Sequence, residues 1–292
     1  MRTRVIEHEL LRVFVTVVDY GGFTAAGMVL HRTQAAVSLQ IKRLEETVQA
    51  PLLQHPRRTV QLTRQGEILL EYARRMLSLN DEALSAVRGD ELAGRIRIGA
   101  INNYASGILP PLLAEFCELH PEVQIEVHTG VAAEMDRKLG STYDLIINIS
   151  QEGQGDGVLI GSQQPVWVTS ARHSPHAREP LPLALLPNGS LFRKFALEAL
   201  ARQGRAWHAA HESTNLAAMV AAVEAGLAVA VFLREAVNFE RLRELTEKEG
   251  FPRLPRADVR LHSPDRYLSR ATVELREFLL ARLSAPSAEP LP

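Results

Sequence analysis

The chain has too few cysteines for a disulfide and no apolar run long enough to cross a membrane. Its single cysteine, Cys117, lies in the apolar helical pattern LLAEFCEL, which favours a buried side chain. A redox sensor that pairs with a thiol of another chain is the alternative. No apolar run reaches the ~18–20 residues of a spanning helix, and the start, MRTRVIEHELLRVF, lacks the features of a secretory signal. We therefore expect a cytoplasmic protein that contacts no membrane.

Motifs of common enzyme chemistries are missing as well. The sequence contains no GxSxG, GxxxxGKS or HExxH pattern. Its ten histidines are scattered and lack the spacing of metal ligands relative to Cys, Asp or Glu. A GxGxG string at 153–157 does not lie between a strand and a helix, so we interpret it as a flexible loop. We expect no cofactor, no metal and no catalysis.

What is present indicates two parts of different charge and structure. Residues 1–88 carry 12 Lys and Arg against 9 Asp and Glu, while the remaining residues carry 21 against 25. A basic amino-terminal part on an acidic body is typical of a separate nucleic-acid-binding module. Residues 1–88 have helical patterns, whereas from Arg95 short β-rich runs alternate with helical ones. This alternation predicts an α/β body with largely parallel strands.

The amino-terminal helices follow the pattern of a helix-turn-helix. A first helix over about 7–19 presents one apolar face and ends at two glycines. Thr24 can cap a short second helix, and Thr33 can cap a third helix, Gln34–Val48. In the third helix an apolar stripe faces the core, formed by Val37, Ile41, Leu44 and Val48. The opposite face is then free to contact a partner.

That opposite face is small at its amino end and basic further on, as expected for a helix that enters a major groove. Gln34 can pair with an adenine, and Ser38 can bond a base edge or a phosphate. Leu39 could contact a thymine methyl, although single exposed apolar residues are common. The candidate DNA contacts within the helical segments are Thr24, Thr33, Gln34, Ala35, Ser38, Leu39, Lys42 and Arg43; the last two would meet phosphates.

Two further features follow the third helix. Arg57 and Arg58 stand after Pro56 at a predicted tight turn before an alternating strand. They suit a wing that contacts a minor groove or phosphates, or else form a solvated basic turn. Thr63 can cap a long helix that reaches about Arg88, in which leucines at 70, 77 and 84 repeat every seven residues. This seam favours pairing with a second copy of the chain; packing on its own body is the alternative.

Residues 10–77 resemble the amino-terminal signature of the LysR-type transcriptional regulator family, and within it the LrhA/HexA/PecT-like subgroup. The matching positions are Phe14, the 23–26 run FTAA, Gln34, Val37, Ser38, Ile41, Leu44, Glu45, Leu62, Thr63 and Gly66. The chain departs from many members at Gly22, Leu39 and Leu53. Because many members have arginine in place of Leu39, their contact at that position does not carry over to this chain.

The resemblance implies an α/β multidomain fold with a winged helix-turn-helix at 1–62 and a linker and dimerisation helix at 63–89. A two-lobed, periplasmic-binding-protein-like effector domain follows at 95–285. Lobe one is expected at 95–161 and 268–285, and lobe two at 165–264, with crossovers near 161–165 and 264–267. The implied partners are double-stranded DNA with a pseudo-palindromic operator, a small-molecule effector, and other copies in a dimer or homotetramer. RNA polymerase is a further candidate.

In such a domain the ligand lies between the lobes, where strands end and helices begin. The candidate effector contacts are Asn102, Asn103, Ser150, Leu191, Phe192, Ser213, Thr214 and Phe232. Hydroxyls and amides without an arginine pair suit a small polar or weakly anionic ligand with an apolar part. For each position a plain helix cap is the alternative.

We therefore expect a DNA-binding transcription regulator that responds to a small molecule. An architectural DNA-binding oligomer with a ligand-free assembly domain is the second hypothesis. An enzyme with a DNA-binding end is the third. Stabilisation by a small metabolite would separate the first hypothesis from the second, and product formation would favour the third.

Overall fold

The computed structural model describes residues 5–54, 60–88, 92–265 and 268–283. The amino-terminal domain contains α1 (His8–Asp19), α2 (Phe23–Val29) and α3 (Gln34–Val48). One apolar core joins these helices, with Phe14, Val37 and Leu44 fully buried at its centre. The predicted inward faces of the first and third helices are therefore confirmed.

The start of α3 agrees with the prediction, and the start of α2 does not. The Thr33 hydroxyl accepts a hydrogen bond from the Ala36 N–H at 3.2 Å and so caps α3. Helix α2 begins at Phe23 with Gly22 as its cap, so Thr24 lies within the first turn and caps nothing. The Phe23 side chain packs against the core, and the helix starts two residues earlier than the capping pattern suggested.

The wing arginines, Arg57 and Arg58, lie outside the described residues, so the wing stays a prediction. The segments on either side approach each other as in a hairpin. Leu53 and Leu62 form an antiparallel bridge, and the Gln54 N–H donates to the Gln61 carbonyl at 2.8 Å.

The long helix α4 (Arg64–Arg88) begins shortly after Leu62, and its apolar faces differ from the predicted seam. Leu70 is buried and Leu77 half-buried, both packed into the core of the amino-terminal domain. These two leucines therefore cannot form a seam with another copy. A different row of apolar side chains, which we call the α4 stripe, is exposed: Ile68, Tyr72, Met76 and Leu79.

Lobe one of the carboxy-terminal domain contains a five-stranded sheet. Its strand order is β2 (Val123–Thr129), β1 (Gly94–Ala100), β3 (Leu145–Gln151), β10 (Ala257–His262) and β4 (Val158–Gln163). The first three strands are parallel, and β10 runs antiparallel to both of its neighbours. Helices α5 (Leu109–Leu119) and α9 (Arg270–Leu283) pack on one face. The short helix α6 (Ala132–Asp136) packs through Met135 against Ile146.

Lobe two is built from two groups of strands. β5 (Pro165–Ser170) lies between β8 (Ala230–Leu233) and β9 (Leu242–Leu245), with antiparallel pairing throughout. β6 (Leu181–Leu185) pairs in parallel with β7 (Trp207–Glu212), and a bridge from Leu183 to Val229 connects the two groups. Helices α7 (Leu191–Gln203) and α8 (Leu216–Glu224) pack against these strands. The expectation of largely parallel strands is thus only half correct.

The first crossover between the lobes lies where predicted, and the second does not. The chain leaves the lobe-one sheet after Gln163 and enters lobe two at Pro165. It returns before Ala257, because β10 already belongs to the lobe-one sheet. The predicted return near 264–267 is therefore wrong, and lobe two ends before residue 257. Gln164 Nε2 donates to the Leu254 carbonyl at 3.0 Å, which ties the two crossovers together.

Within the described residues, the search for membrane-spanning helices found no single helix of sufficient length and apolar character. Helices α1 and α2 meet the criteria only when they are taken as one segment, which bends by 120° between them.

Candidate functional site

The outward face of α3 is exposed along its whole length. Gln34, Ala35 and Ser38 are exposed at its amino end, and 60% of Leu39 is accessible at its centre. Val37, Ile41 and Leu44 are buried on the opposite side. The helix therefore presents amide, methyl and hydroxyl groups while its apolar ridge holds it to the domain. Such groups can reach base edges in a major groove.

Basic side chains surround this face, and each has an acidic neighbour. Arg43 lies 3.4 Å from Glu7, and Lys42 lies 4.0 Å from Glu46. Arg32, in the turn before α3, lies 2.9 Å from Glu9. All these side chains are more than a third exposed, and such surface pairs contribute little to stability. The basic groups can therefore exchange their carboxylate partners for phosphates at low cost.

Glu45 and Gly66, which match the family signature, both make contacts that explain their residue type. The Glu45 carboxylate accepts hydrogen bonds from the Leu52 and Leu53 N–H groups at 2.8 and 3.4 Å. A Cβ on Gly66 would lie 2.1 Å from the Leu52 carbonyl oxygen, which only glycine avoids. These contacts fix the segment after α3 against the start of α4, so both residues help to hold α3 in its place in the domain.

A cavity of about 860 Å³, which we call the cleft, lies between the two lobes. Parallel strands of lobe one end at it, and helices α7 and α8 of lobe two begin at it. Six of the predicted effector contacts line it, namely Asn102, Asn103, Leu191, Phe192, Thr214 and Phe232. Asn102 Nδ2 donates to the Thr214 carbonyl at 3.3 Å, which joins the lobes directly.

The other two predicted contacts do not line the cleft. The Ser150 hydroxyl donates to the Gln154 carbonyl at 2.7 Å, and the residue lines a neighbouring cavity of about 1010 Å³. Ser150 follows Ile149 on an alternating strand, so its side chain points to the other face of the sheet. The Ser213 hydroxyl accepts from the Asn215 N–H at 3.0 Å and serves the turn before α8.

Sequence reasoning missed several residues of the cleft. Thr129, Glu134, Asn215 and Glu224 all line it. Thr129 ends a parallel strand, so the rule that found Asn102 would have found it too. Asn215 caps α8 by accepting from the Ala218 N–H at 3.1 Å. Glu224 is at the far end of α8, where no local pattern indicates a cleft residue.

The ionisable side chains that line the cleft are acidic. Among the residues that the structure describes, no Lys, Arg or His lines it, whereas Glu134 and Glu224 do. Glu224 has one basic neighbour, Arg241, at 3.7 Å. Beside the cleft, burial raises the pKa of Tyr104 to about 12, with a further contribution from Glu235, so this phenol is neutral at physiological pH. Leu191, Phe192 and Phe232 supply apolar walls.

Comparisons with known proteins agree on the family. Residues 8–67 match the model for the bacterial regulatory helix-turn-helix protein of the lysR family, and residues 89–284 match the LysR substrate binding domain. The chain is 38% identical over 254 residues to the HTH-type transcriptional regulator DgdR of Burkholderia cepacia, with 86% of this chain and 85% of the relative covered. It is 36% identical over 251 residues to the regulator PecT of Dickeya dadantii (strain 3937), with 86% and 79% covered.

Solved structures show the same fold. The chain superposes on a full-length OxyR variant from Pseudomonas aeruginosa with a TM-score of 0.66 at 20% identity, covering 99% of this chain and 100% of that one. For full-length CbnR in complex with its target DNA the TM-score is 0.57 at 21% identity, with 96% and 100% covered. The chain belongs to the LysR family of transcription regulators: it binds DNA through its amino-terminal helix-turn-helix and carries a LysR-type effector-binding domain.

Proposed function

We propose that the outward face of α3 reads the operator and that the cleft binds a small-molecule effector which controls this reading. The observation that carries the first part is the exposure of Gln34, Ser38 and Leu39 on a helix whose other side is fully buried. The polar and apolar lining of the cleft supports the second part. In this proposal the chain performs no catalysis, and it acts where operator DNA is found, in the cytoplasm.

Replacement of Ser38 by alanine tests the DNA-reading face. If the hydroxyl contacts DNA, Ser38→Ala should weaken binding to a duplex selected by the wild-type protein by about 1–3 kcal/mol. Ser174→Ala is the matched control, because Ser174 is an exposed serine of lobe two, far from α3 in sequence. Equal affinity of Ser38→Ala and Ser174→Ala in fluorescence anisotropy would contradict the assignment.

The wing residues should behave differently from Ser38. Arginines that contact phosphates weaken binding to all sequences and reduce its salt dependence when they are removed. We expect Arg57→Ala with Arg58→Ala to lower affinity for selected and random duplexes alike, with a shallower dependence on salt. A loss confined to the selected duplex, or no loss, would contradict the wing assignment.

The effector should have an apolar part and no net negative charge. Two carboxylates line the cleft, and no basic side chain of the described residues lines it, although Arg241 lies 3.7 Å from Glu224. Helices α7 and α8 begin at the cleft, so their first N–H groups can bond a ligand oxygen. A neutral, cationic or zwitterionic molecule satisfies both features. The sequence suggested a small polar or weakly anionic ligand with an apolar part, and we keep the polar alternative and set aside the anionic one.

A thermal-shift series of matched compounds tests this ligand class. Each set holds one apolar skeleton with a primary amine, an amide or a carboxylate, and sets with different skeletons are screened. A ligand that binds only the folded state raises the unfolding midpoint by mass action. We expect amine or amide members to stabilise the protein and their carboxylate partners to fail. Thr214→Val should remove the shift, whereas a carboxylate that stabilises best would overturn the assignment.

We propose that the effector acts by shifting a population. The lobes are joined by two crossovers and by the Asn102–Thr214 hydrogen bond, so a ligand that contacts both lobes favours their closed arrangement. Only a difference in affinity between two arrangements is needed for control. The size of the cleft favours this proposal over an architectural role, since an assembly domain needs no cavity of about 860 Å³.

A further inference from the structure

An arginine of the long helix bridges the two ends of the molecule. The Arg74 guanidinium donates one hydrogen bond to the Asp19 carboxylate at the end of α1 and another to the Ser141 carbonyl in lobe one. The side chains of Arg74 and Asp19 are only 11% and 15% exposed. Burial, with the nearby charge of Arg97, lowers the pKa of Arg74, and Asp19 counters this effect. Sheltered charge pairs of this kind are costly to separate.

A chain of polar and ionisable side chains leads from Asp19 to the cleft. Arg95 on β1 lies 3.8 Å from the Asp19 carboxylate and forms an ion pair with Glu126 on β2. His128, two residues along the same face of β2, lies 3.6 Å from Glu126. The next residue, Thr129, lines the cleft. Each step of this path is a direct contact or a covalent neighbour.

A second path reaches the cleft from Ser141. The carbonyl of Lys138 accepts hydrogen bonds from the N–H groups of Ser141 and Tyr143 at 3.2 and 3.1 Å, which holds this loop in a compact turn. Helix α6 precedes the turn directly, and Val131 and Glu134 at its start line the cleft. A shift of α6 during lobe closure would therefore move the carbonyl to which Arg74 donates.

We call the contact of Arg74 with Asp19 and lobe one the junction, and a cavity beside it gives it room to change shape. A cavity of about 320 Å³ lies among α1, α4 and lobe one, with Asp19, Arg74, Arg95 and Gly140 in its walls. Close-packed interiors resist small displacements, whereas a polar boundary beside a cavity can adopt a second arrangement without breaking an apolar core.

We propose that Arg74 is a positioning residue that couples the state of the cleft to the orientation of the DNA-binding domain within one subunit. In the present structure Arg74 holds Asp19 and lobe one together. Displacement of β2 or α6 by the effector alters this contact, and the angle at which α3 is presented changes with it. This inference rests on the proposed function and adds the route by which the two sites communicate.

The test replaces the unidentified effector by a covalent link across the cleft. In a Cys117→Ser background, Asn102→Cys and Thr214→Cys place one thiol on each lobe, at two residues that the hydrogen bond from Asn102 Nδ2 to the Thr214 backbone carbonyl now joins. Oxidation closes the cleft, reduction releases it, and non-reducing gel mobility reports the link. The probe is a duplex that the wild-type protein selects from a random library. The readout is the ratio of affinities in the oxidised and reduced states.

The coupling variants are Arg74→Gln and the milder Arg95→Gln. Arg64→Gln is the matched control, because Arg64 is an exposed arginine of the same helix. With an intact junction we expect oxidation to change affinity by about fivefold or more, the usual lower range of coupling between sites. Arg74→Gln and Arg95→Gln should bring the ratio close to one, and Arg64→Gln should leave it unchanged. Hydrogen exchange should show faster exchange at 138–143 in Arg74→Gln alone.

The outcomes separate this inference from the proposed function. The coupling is overturned if all variants bind DNA and Arg74→Gln has the same affinity ratio as the double-cysteine protein without it. It is also overturned if oxidation leaves the affinity of that double-cysteine protein unchanged. In both cases α3 remains the reading face. If no form binds the duplex at low salt, the proposed function fails first. Circular dichroism checks that each variant is folded, and Arg95→Gln keeps the test valid if Arg74→Gln is not.

Discussion

At the scale of single residues, Leu39 is the one of the three departures from the family signature that lies on the outward face of α3. Its side chain is 60% exposed at the centre of the face that we assign to base reading. A guanidinium there could bond a guanine or a phosphate, whereas a leucine can only make apolar contact. The thymine methyl is the apolar group that the major groove offers. We therefore expect Leu39 to contribute specificity for a thymine.

A thymine-to-uracil replacement tests this assignment with one methyl group. In the selected duplex, each thymine is replaced in turn by uracil, which pairs identically but lacks the C5 methyl. One replacement should weaken wild-type binding by about 0.8 kcal/mol, the value of one buried methylene-sized group. Leu39→Ala should be insensitive to that same replacement. If no single uracil affects the wild type, Leu39 does not read a methyl.

Several residue assignments could be read from local pattern, and others could not. Thr33 follows a short polar turn and precedes a regular helix, so its capping role was visible. Thr24 met the same local criterion, but the packing of Phe23 extended the helix past it. Glu134 and Glu224 enter the cleft through the packing of the lobes, which the sequence around each residue does not encode. The acidic character of the cleft was therefore missed.

At the scale of elements, α4 shows how a helix with several apolar rows can be misread. The helix spans 25 residues, about 37 Å at 1.5 Å per residue. Its leucine repeat was clear, but Leu70 and Leu77 serve the chain's own core. Spacing alone does not say which of two rows faces a neighbouring helix. The α4 stripe remains exposed for self-association, as do Leu84 and Val87 nearer the end of the helix.

Substitution in the α4 stripe tests its role in self-association. Met76→Glu and Leu79→Glu place carboxylates on this row, and an unpaired charge in an apolar contact costs several kcal/mol. We expect the dimer dissociation constant to rise by about tenfold or more in sedimentation velocity. Leu159→Glu, on the edge strand β4, introduces the same charge at another exposed leucine and should leave assembly unchanged. Unaltered assembly of both stripe variants would show that another surface forms the dimer.

Some strands could not be predicted from the sequence pattern, and one strand with a clear pattern was missed. Three lobe-one strands, β1, β2 and β3, were found from their β-rich runs. β10 alternates Ala257, Val259 and Leu261 with Asp258 and Arg260, a clear two-residue period that was overlooked. Because β10 lies in lobe one, this omission shifted the predicted second crossover by several residues. β4 ends in Gly161, Ser162 and Gln163, and β9 has only four residues, so neither gives a comparable pattern.

At the scale of the whole molecule, the cleft and the DNA-facing helix lie in different domains, and the cleft is shared by two lobes. A ligand in the cleft must contact both lobes to favour their closed arrangement. We therefore expect a compound that raises the unfolding midpoint to slow hydrogen exchange at 101–106 in lobe one and at 213–217 in lobe two together. Protection of one lobe alone, measured by mass spectrometry, would contradict binding between the lobes.

The central claim of this account is that α3 meets DNA with its outward face. The most direct measurement is fluorescence anisotropy at low ionic strength, where phosphate attraction is strongest, with wild type, Leu39→Glu and the control Leu159→Glu. We predict tight binding for the wild type and the control, and at least about tenfold weaker binding for Leu39→Glu, because its carboxylate would face the groove. Failure of the wild type to bind duplex DNA, or equal binding by all three proteins, would contradict the claim.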